Sequence, residues 1–206
     1  MNAKRRERIT TPREFATLLA ALEIEDALPY ALAGYGMGRR AQIQYLRWRD
    51  IDLELGLIEW GVEDDARKSA SAHRVVPAVK PLQLVLEEVW VVQGKPVGEA
   101  LVCPPRRSAV EGLLHTGGLA LRVKKAWEAK ELQPIGLHEC RHTAATWLDA
   151  AGVSPKVASV LMGHATPDRQ PGAAEITLAR YTHVLPDAIE TARAQLDVWL
   201  ETQLVP

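Results

Sequence analysis

A five-residue segment, His138-Glu139-Cys140-Arg141-His142, combines side chains that handle protons, metals and phosphates. On a helix, His138 and His142 would lie one turn apart on the same face, as zinc hydrolases require, with the intervening glutamate as general base. Such an enzyme also needs a third ligand. The metzincin pattern would place glycine and histidine where this chain has Ala145 and Leu148, so an acid further downstream would have to supply that ligand. A zinc hydrolase is therefore one alternative for this segment.

The segment also contains a His-x-x-Arg pair, His138 and Arg141, whose spacing again places both side chains on one helical face. Further basic and nucleophilic residues flank this pair at intervals along the chain. They are Arg39, Lys68, His164 and Tyr181, within GMGRRAQ, RKSASAHRVVP, LMGH and RYTHV. The complete order is Arg, Lys, His-x-x-Arg, His, Tyr.

In this order the chain resembles the tyrosine recombinases, the phage integrase family. The resemblance runs from about residue 10 to 190 and includes the signatures LRWRDID, RHTAATWL, AGVSPKVASVLMGH and RYTHV. It implies the catalytic domain of a site-specific DNA recombinase, which cleaves and rejoins strands through a 3′-phosphotyrosyl intermediate without metal, ATP or another cofactor. A type IB topoisomerase, which uses similar chemistry, is the alternative within this class.

The resemblance assigns Arg39 and Arg141 to the scissile phosphate. Metal-free cleavage must neutralise extra negative charge in the transition state, and guanidinium groups are permanently charged bidentate donors to phosphate oxygens. Tyr181 would be the nucleophile. Because the pKa of free tyrosine is about 10, nearby cations would be needed to favour its phenolate form.

The other three residues would move protons or orient the phosphate. Lys68 would protonate the leaving 5′-oxygen, His138 would assist proton transfer at the tyrosine, and His164 would hydrogen-bond the phosphate. One departure concerns the first arginine. Relatives carry glutamate three residues after Arg39, where this chain has Gln42, a side chain that accepts a hydrogen bond but has no charge. We expect reduced rather than abolished function.

Hydrophobic periodicity predicts an α+β fold, mostly α-helical with a small antiparallel β-hairpin or three-stranded sheet. Thr11-Pro12 has the hydroxyl N-cap and early proline of a helix start. Helical patterns recur within 29–48, 81–92, 117–130 and 139–150, after Pro155, and from Pro186 to about Leu204. Short strands are expected at 57–60 and 74–76, with Lys68 in the hairpin between them.

The segment Gly36-Met37-Gly38-Arg39-Arg40-Ala41 also matches the dinucleotide-binding fingerprint, with Glu59 a suitable distance on. The residues before it are rich in alanine and include Pro29, whereas a buried parallel strand would be rich in valine and isoleucine. We therefore expect these glycines to bend a junction between helices.

The charge balance bears on nucleic-acid binding. There are 25 basic and 26 acidic residues and a pI near 6.6, whereas nucleic-acid-binding domains often have a pI above about 9. The basic residues are clustered, however, at 4–8, 39–40, 47–49, 67–68, 106–107 and 122–125. A positive DNA face is thus compatible with a neutral total, and we expect weak, salt-sensitive DNA binding.

The domain prediction is a basic lead-in over 1–9 and a catalytic domain over 10–206, without the N-terminal DNA-clamp domain of relatives. The resemblance implies double-stranded DNA as partner and a homo-tetramer on DNA, with the helix at 186–204 as a candidate contact. Because the clamp is missing and Gln42 replaces glutamate, a non-catalytic DNA-binding module is the second hypothesis. No apolar run of membrane-spanning length and no secretory signal occurs in the sequence, which predicts a cytoplasmic protein.

Overall fold

A computed structural model describes residues 8–61, 73–106, 112–164 and 185–204. Within these ranges, α-helices surround a three-stranded antiparallel sheet of order β1-β2-β3, which confirms the predicted fold class. The helices are α1 (Pro12–Ala20), α2 (Ile24–Gly34), α3 (Arg40–Tyr45), α4 (Lys80–Val92), α5 (Thr116–Glu128), α6 (Leu137–Ala150), α7 (Pro155–Met162) and α8 (Leu185–Leu204). The strands are β1 (Ile51–Asp52), β2 (Leu57–Trp60) and β3 (Arg74–Pro77).

Helix α2 lies at the centre of the core and packs against α1, α4 and α6. It is buried from Asp26 to Gly34. Next to it, the ring of Phe15 on α1 meets those of Tyr35 and Trp147 edge to face, with centroid distances of 5.1 Å and 5.4 Å. Each such aromatic pair contributes about 0.5–1.5 kcal/mol beyond the area it buries. This packing holds the C-terminal end of α2, and the turn that follows it leads to Arg39, the first candidate arginine.

The glycine-rich segment after α2 is a turn between two helices, as expected, and the dinucleotide-binding alternative is wrong. All strand pairs of the described residues are antiparallel. An added Cβ at Gly38 would lie 2.7 Å from Trp60, so only glycine allows this close approach to the sheet. The indole Nε1 of Trp60 donates to the carbonyl of Gly36 at 2.9 Å. The turn is therefore attached to β2, and Met37, whose φ is 57°, directs its carbonyl towards Arg74 and Arg141.

The sheet alternates between a buried and a more exposed face. Ile58 and Trp60 of β2 are fully buried, and they pair in register with Val76 and Arg74 of β3. Arg74 thus lies at a buried position of its strand. The predicted hairpin residue Lys68 lies outside the described residues.

Helix α8 packs on its own chain, against α1, β3, α6 and α7. It buries Ala192, Leu196 and Leu200, while Val198 on its outer side is 63% exposed. These apolar side chains of α8 therefore belong to the core of the same chain. In the ranges that the structure describes, no helix combines the length and apolar character of a membrane span.

Candidate active site

Three arginine side chains meet at the C-terminal end of α7, where each donates to a different backbone carbonyl. The pairs are Arg74 with Leu161, Arg141 with Met162, and Arg39 with Gly163. The last carbonyls of a helix have no partner within the helix and carry the negative end of its dipole. Three consecutive carbonyls therefore hold three cations that come from separate parts of the chain.

Helix α7 ends where it does because Gly163 adopts a left-handed conformation, with φ of 60° and ψ of 42°. The amide of Gly163 donates to Val160 and that of His164 to Ser159, at 2.9 Å and 3.0 Å. The side chain of Ser154 caps the other end of the helix by accepting from the amide of Val157. This ending leaves the three carbonyls free for the arginines and places His164 beside them.

The turn after α2 forms the opposite side of the cluster. The carbonyl oxygen of Met37 accepts from both Arg74, at 2.7 Å, and Arg141. The amide oxygen of Gln42 accepts from the backbone N–H of Arg39 at 3.1 Å and from the guanidinium of Arg74 at 3.2 Å. Gln42 therefore fixes the start of α3 and the guanidinium of Arg74 through one uncharged acceptor oxygen.

The cluster is electrostatically strained because like charges lie close together away from water. Burial first, and then the charges of Arg141 and Arg39, lower the pKa of Arg74 to about 9. Burial and Arg39 lower the pKa of Arg141 to about 10. Partial burial, followed by Arg141, Arg39, Arg74 and His142, also lowers the pKa of His164. An anion in contact with these groups would relieve their repulsion, and perturbed groups of this kind mark functional sites.

His138 lies on the exposed side of α6, one turn from His142. Their Nε2 atoms are 2.8 Å apart and their rings meet edge to face. The intervening Glu139 does not face them as a general base would. Its carboxylate accepts from the backbone N–H of Gly136, at 2.8 Å, and of Arg8, at 3.3 Å, and so caps the start of α6. In the described ranges, no group of three or more His, Cys, Asp and Glu side chains is arranged to hold a metal.

An open cleft of about 830 Å³ lies beside the cluster and contains Arg39, Arg40, Lys124, His138 and Arg141 in its walls. Other basic segments of the described chain are paired with acids away from this cleft. Arg47 and Arg49 bind Glu99, and Arg106 and Arg122 bind Asp26. Among the described residues the positive face is thus narrower than the basic clusters of the sequence suggest; at the cleft itself, Lys124 pairs with Glu128 and Glu139 lies in the wall.

A sequence profile described as the phage integrase family matches residues 8–187. This chain belongs to the phage integrase family. A comparison of this integrase-family chain with curated protein sequences found no match.

Solved structures of tyrosine recombinases and integrases share its fold. The integrase from mycobacterium phage Brujita matches with a TM-score of 0.65 and 15% identity, over 100% of this chain and 66% of that one. XerA recombinase matches with a TM-score of 0.64 and 16% identity, over 90% of this chain and 66% of that one. The Tn1549 transposon integrase in complex with transposon right end DNA matches with a TM-score of 0.62 and 21% identity, over 95% of this chain and 68% of that one. The integrase-family chain therefore spans about two thirds of the length of these proteins.

The structure brings Arg39, Arg141 and His164 of this integrase-family chain together and places His138 at the adjoining cleft. Two further predicted site residues, Lys68 and Tyr181, lie outside the described residues. Sequence reasoning missed Arg74 as part of the cluster. The feature that could have indicated it is its position in a short strand, opposite the buried Trp60. A charged side chain at such a position needs partners.

Proposed function

We propose that this chain is the catalytic domain, over residues 10–206, of a site-specific DNA recombinase, a strand transferase of the tyrosine recombinase type. The observation that carries the proposal is the convergence of Arg39, Arg141 and His164 at the end of α7. Arg39 reaches its carbonyl there across 124 residues of sequence. Like charges held this close repel one another, an anion in contact with them would relieve that repulsion, and the scissile phosphate is such an anion.

Arg39 and Arg141 are the phosphate-binding residues in this proposal because both line the cleft. A guanidinium has five N–H donors, so one that holds a carbonyl still has donors to offer. The carbonyl contacts fix both groups before DNA arrives, and preorganised donors stabilise a transition-state charge without reorganisation. Arg74 is buried behind them and holds the turn and α7 together rather than touching DNA.

The histidines have separate tasks. With a pKa below the ordinary histidine value, His164 is neutral near pH 7 and donates one N–H to a phosphate oxygen. His138 is exposed on the cleft, where its ring accepts the phenol proton of Tyr181 and later returns it. These assignments follow the sequence order of the family.

The covalent steps are assigned to Tyr181 and Lys68. The phenolate oxygen forms a bond to phosphorus while the bond from phosphorus to the 5′-oxygen breaks, and Lys68 gives that oxygen its proton. The product is a 3′-phosphotyrosyl ester and a free 5′-hydroxyl. Attack by a 5′-hydroxyl of another strand reverses these steps and rejoins DNA, so ATP is not needed.

Double-stranded DNA is the proposed partner, with copies of the chain assembled as a homo-tetramer on it. Because α8 buries Leu196 and Leu200 in its own chain, a contact between copies through this helix would use its outer side, with Val198. The basic cleft beside Arg39 and His138 is where DNA would lie.

The test is capture of the covalent intermediate. The full chain is incubated with a pool of nicked duplexes of randomised sequence, from which the cleaved fragment diffuses away, and protein–DNA adducts that resist denaturation are collected. We expect adducts with the parent and with Tyr45→Phe, a control at an exposed tyrosine on α3. Tyr181→Phe should form none.

An equal adduct yield with Tyr181→Phe would contradict the nucleophile assignment. Saturable DNA binding without any adduct would instead favour the non-catalytic DNA-binding module. Relaxation of supercoiled DNA without site preference would favour a topoisomerase.

A further inference from the structure

The pair of histidines on α6 has the geometry of a chelate. His138 and His142 project from consecutive turns of one helix and bring their Nε2 atoms within 2.8 Å of each other. Both rings are at least partly accessible, and His138 lines the open cleft. Imidazole nitrogens are ligands for zinc, copper, iron and nickel. The two nitrogens are therefore already placed to share one ion instead of a proton.

The distance between the nitrogens indicates which ion fits. Two nitrogens 2.8 Å apart subtend an angle of about 85–90° at an ion that lies about 2.0–2.1 Å from each of them. That angle matches neighbouring positions of a square-planar or tetragonal complex, the geometry of Cu²⁺ and Ni²⁺. Tetrahedral zinc would require the nitrogens to move apart.

We propose that His138 and His142 form a bidentate site for a tetragonal transition-metal ion, Cu²⁺ or Ni²⁺. In the free protein one Nε2 donates to the other. On binding, the proton of the donor Nε2 moves to the Nδ1 of the same ring, and both Nε2 lone pairs turn to the ion.

Two other potential ligands on α6, Glu139 and Cys140, are engaged elsewhere. The carboxylate of Glu139 caps α6 through its bonds to Gly136 and Arg8. Cys140 is buried on the opposite side of the helix, and burial raises the pKa of its thiol, which keeps it protonated. The cations of Arg39 and Arg141 lie near, so the site holds its ion weakly and exchangeably, unlike a structural metal site.

Binding has a consequence that depends on the proposed function. The Nε2 of His138 would be a metal ligand and could not accept the phenol proton of Tyr181. The ion would thus inhibit strand cleavage, and a chelator would restore it. The same residue serves two mutually exclusive partners, a metal ion and the reacting DNA.

The site itself is tested without DNA. Full-length protein free of any affinity tag and stripped of metal is titrated with CuCl₂ and with NiCl₂ by calorimetry, and the copper complex is examined by electron paramagnetic resonance. We expect one ion per chain and hyperfine coupling to two nitrogens. His142→Gln and His138→Gln should each weaken binding by about tenfold or more, which corresponds to roughly 1.4 kcal/mol.

The matched control is His73→Gln, which removes an exposed histidine paired with Glu59 and should leave the affinity unchanged. Mg²⁺, which prefers oxygen ligands, should not compete. Unchanged copper affinity in His142→Gln, or equal loss in His73→Gln, would overturn the site. In the adduct assay, NiCl₂ should lower the yield of the parent and EDTA should restore it; a cleavage-competent parent that ignores bound nickel would overturn the inhibitory role. If no adduct forms at all, the proposed function fails, while the titration still decides the site.

Discussion

Arg74 and Arg141 donate to one carbonyl oxygen, that of Met37, one from the sheet and the other from α6. The same two side chains also bind neighbouring carbonyls at the end of α7. Two buried like charges are thus held side by side by backbone groups at both ends. Their placement does not depend on a bound ligand, so the arginine that faces the cleft, Arg141, is already in position in the free protein.

Removal of Arg74 should destabilise the fold. Arg74→Met leaves the carbonyl of Leu161 without this charged donor and removes one of two donors from Met37. Loss of such buried bonds costs about 2–4 kcal/mol in total. The free energy of unfolding, measured by urea denaturation, should fall by that amount. Arg13→Met on the exposed face of α1 is the control and should change it by less than about 0.5 kcal/mol. A similarly small change for Arg74→Met would show that the bonds do not hold the cluster.

Gln42→Glu should stabilise the protein. The amide oxygen of Gln42 accepts from Arg39 and Arg74, and a carboxylate there would make these bonds charge-assisted and offset the repulsion among the arginines. We expect the free energy of unfolding, measured by thermal denaturation, to rise by about 1 kcal/mol, and the adduct yield to rise as well. Gln42→Met, of similar size but without an acceptor, should instead lose about 1–3 kcal/mol. If the glutamate variant proves less stable than the parent, the amide rather than its oxygen is what the site needs.

The titration of His164 should show the surrounding charge. Its pKa, followed by NMR of the ring protons, should lie below 6.5 in the free protein because of burial and the nearby Arg141 and Arg39. Arg39→Gln should raise it, while Arg13→Gln, an exposed control, should not. Addition of inorganic phosphate should raise it as well, since the anion offsets the cations. A pKa that does not respond to Arg39→Gln would place the two groups further apart than we describe.

The lowered pKa of His164 also makes the free energy of unfolding depend on pH. Between the lowered native pKa and about 6.5, the unfolded state binds more protons at His164 than the native state does. The contribution of His164 to the free energy of unfolding is therefore fully present above about pH 6.5 and is lost as the pH falls through the pKa of His164 in the native state. Acid should destabilise the parent more than His164→Gln over this window in thermal unfolding.

Gly38→Ala should disturb both the core and the site. The added methyl would lie 2.7 Å from the ring of Trp60, which is fully buried and has no room to move. Overpacking of this kind costs about 1–3 kcal/mol. Gly112→Ala is the matched control because nothing lies within 4 Å of its added Cβ. Urea denaturation of both variants makes the comparison; equal stabilities would mean that the turn can shift without cost, and with it the start of α3 at Arg39.

The local elements could be predicted because their signals are local. The cap at Thr11 and the proline after Ser154 mark helix starts that the structure contains. Arg39, Arg141 and His164 were found through their order in the chain. Arg74 could not be found through that order; its acceptors are backbone carbonyls, which every residue has, and only its place opposite Trp60 in the strand pair indicates a buried charge that needs partners. The catalytic assignments of Lys68 and Tyr181 stay predictions.

The ending of α7 makes the arginine cluster cooperative. One helical turn supplies a carbonyl to Arg39, Arg74 and Arg141, so a local opening of that turn breaks one contact of each arginine at the same time. Arg74 and Arg141 would then still be held at the turn after α2, and the free energy of opening sets the fraction of molecules with the complete cluster. Hydrogen exchange at the amides of Gly163 and His164, which close this turn, would measure that fraction directly.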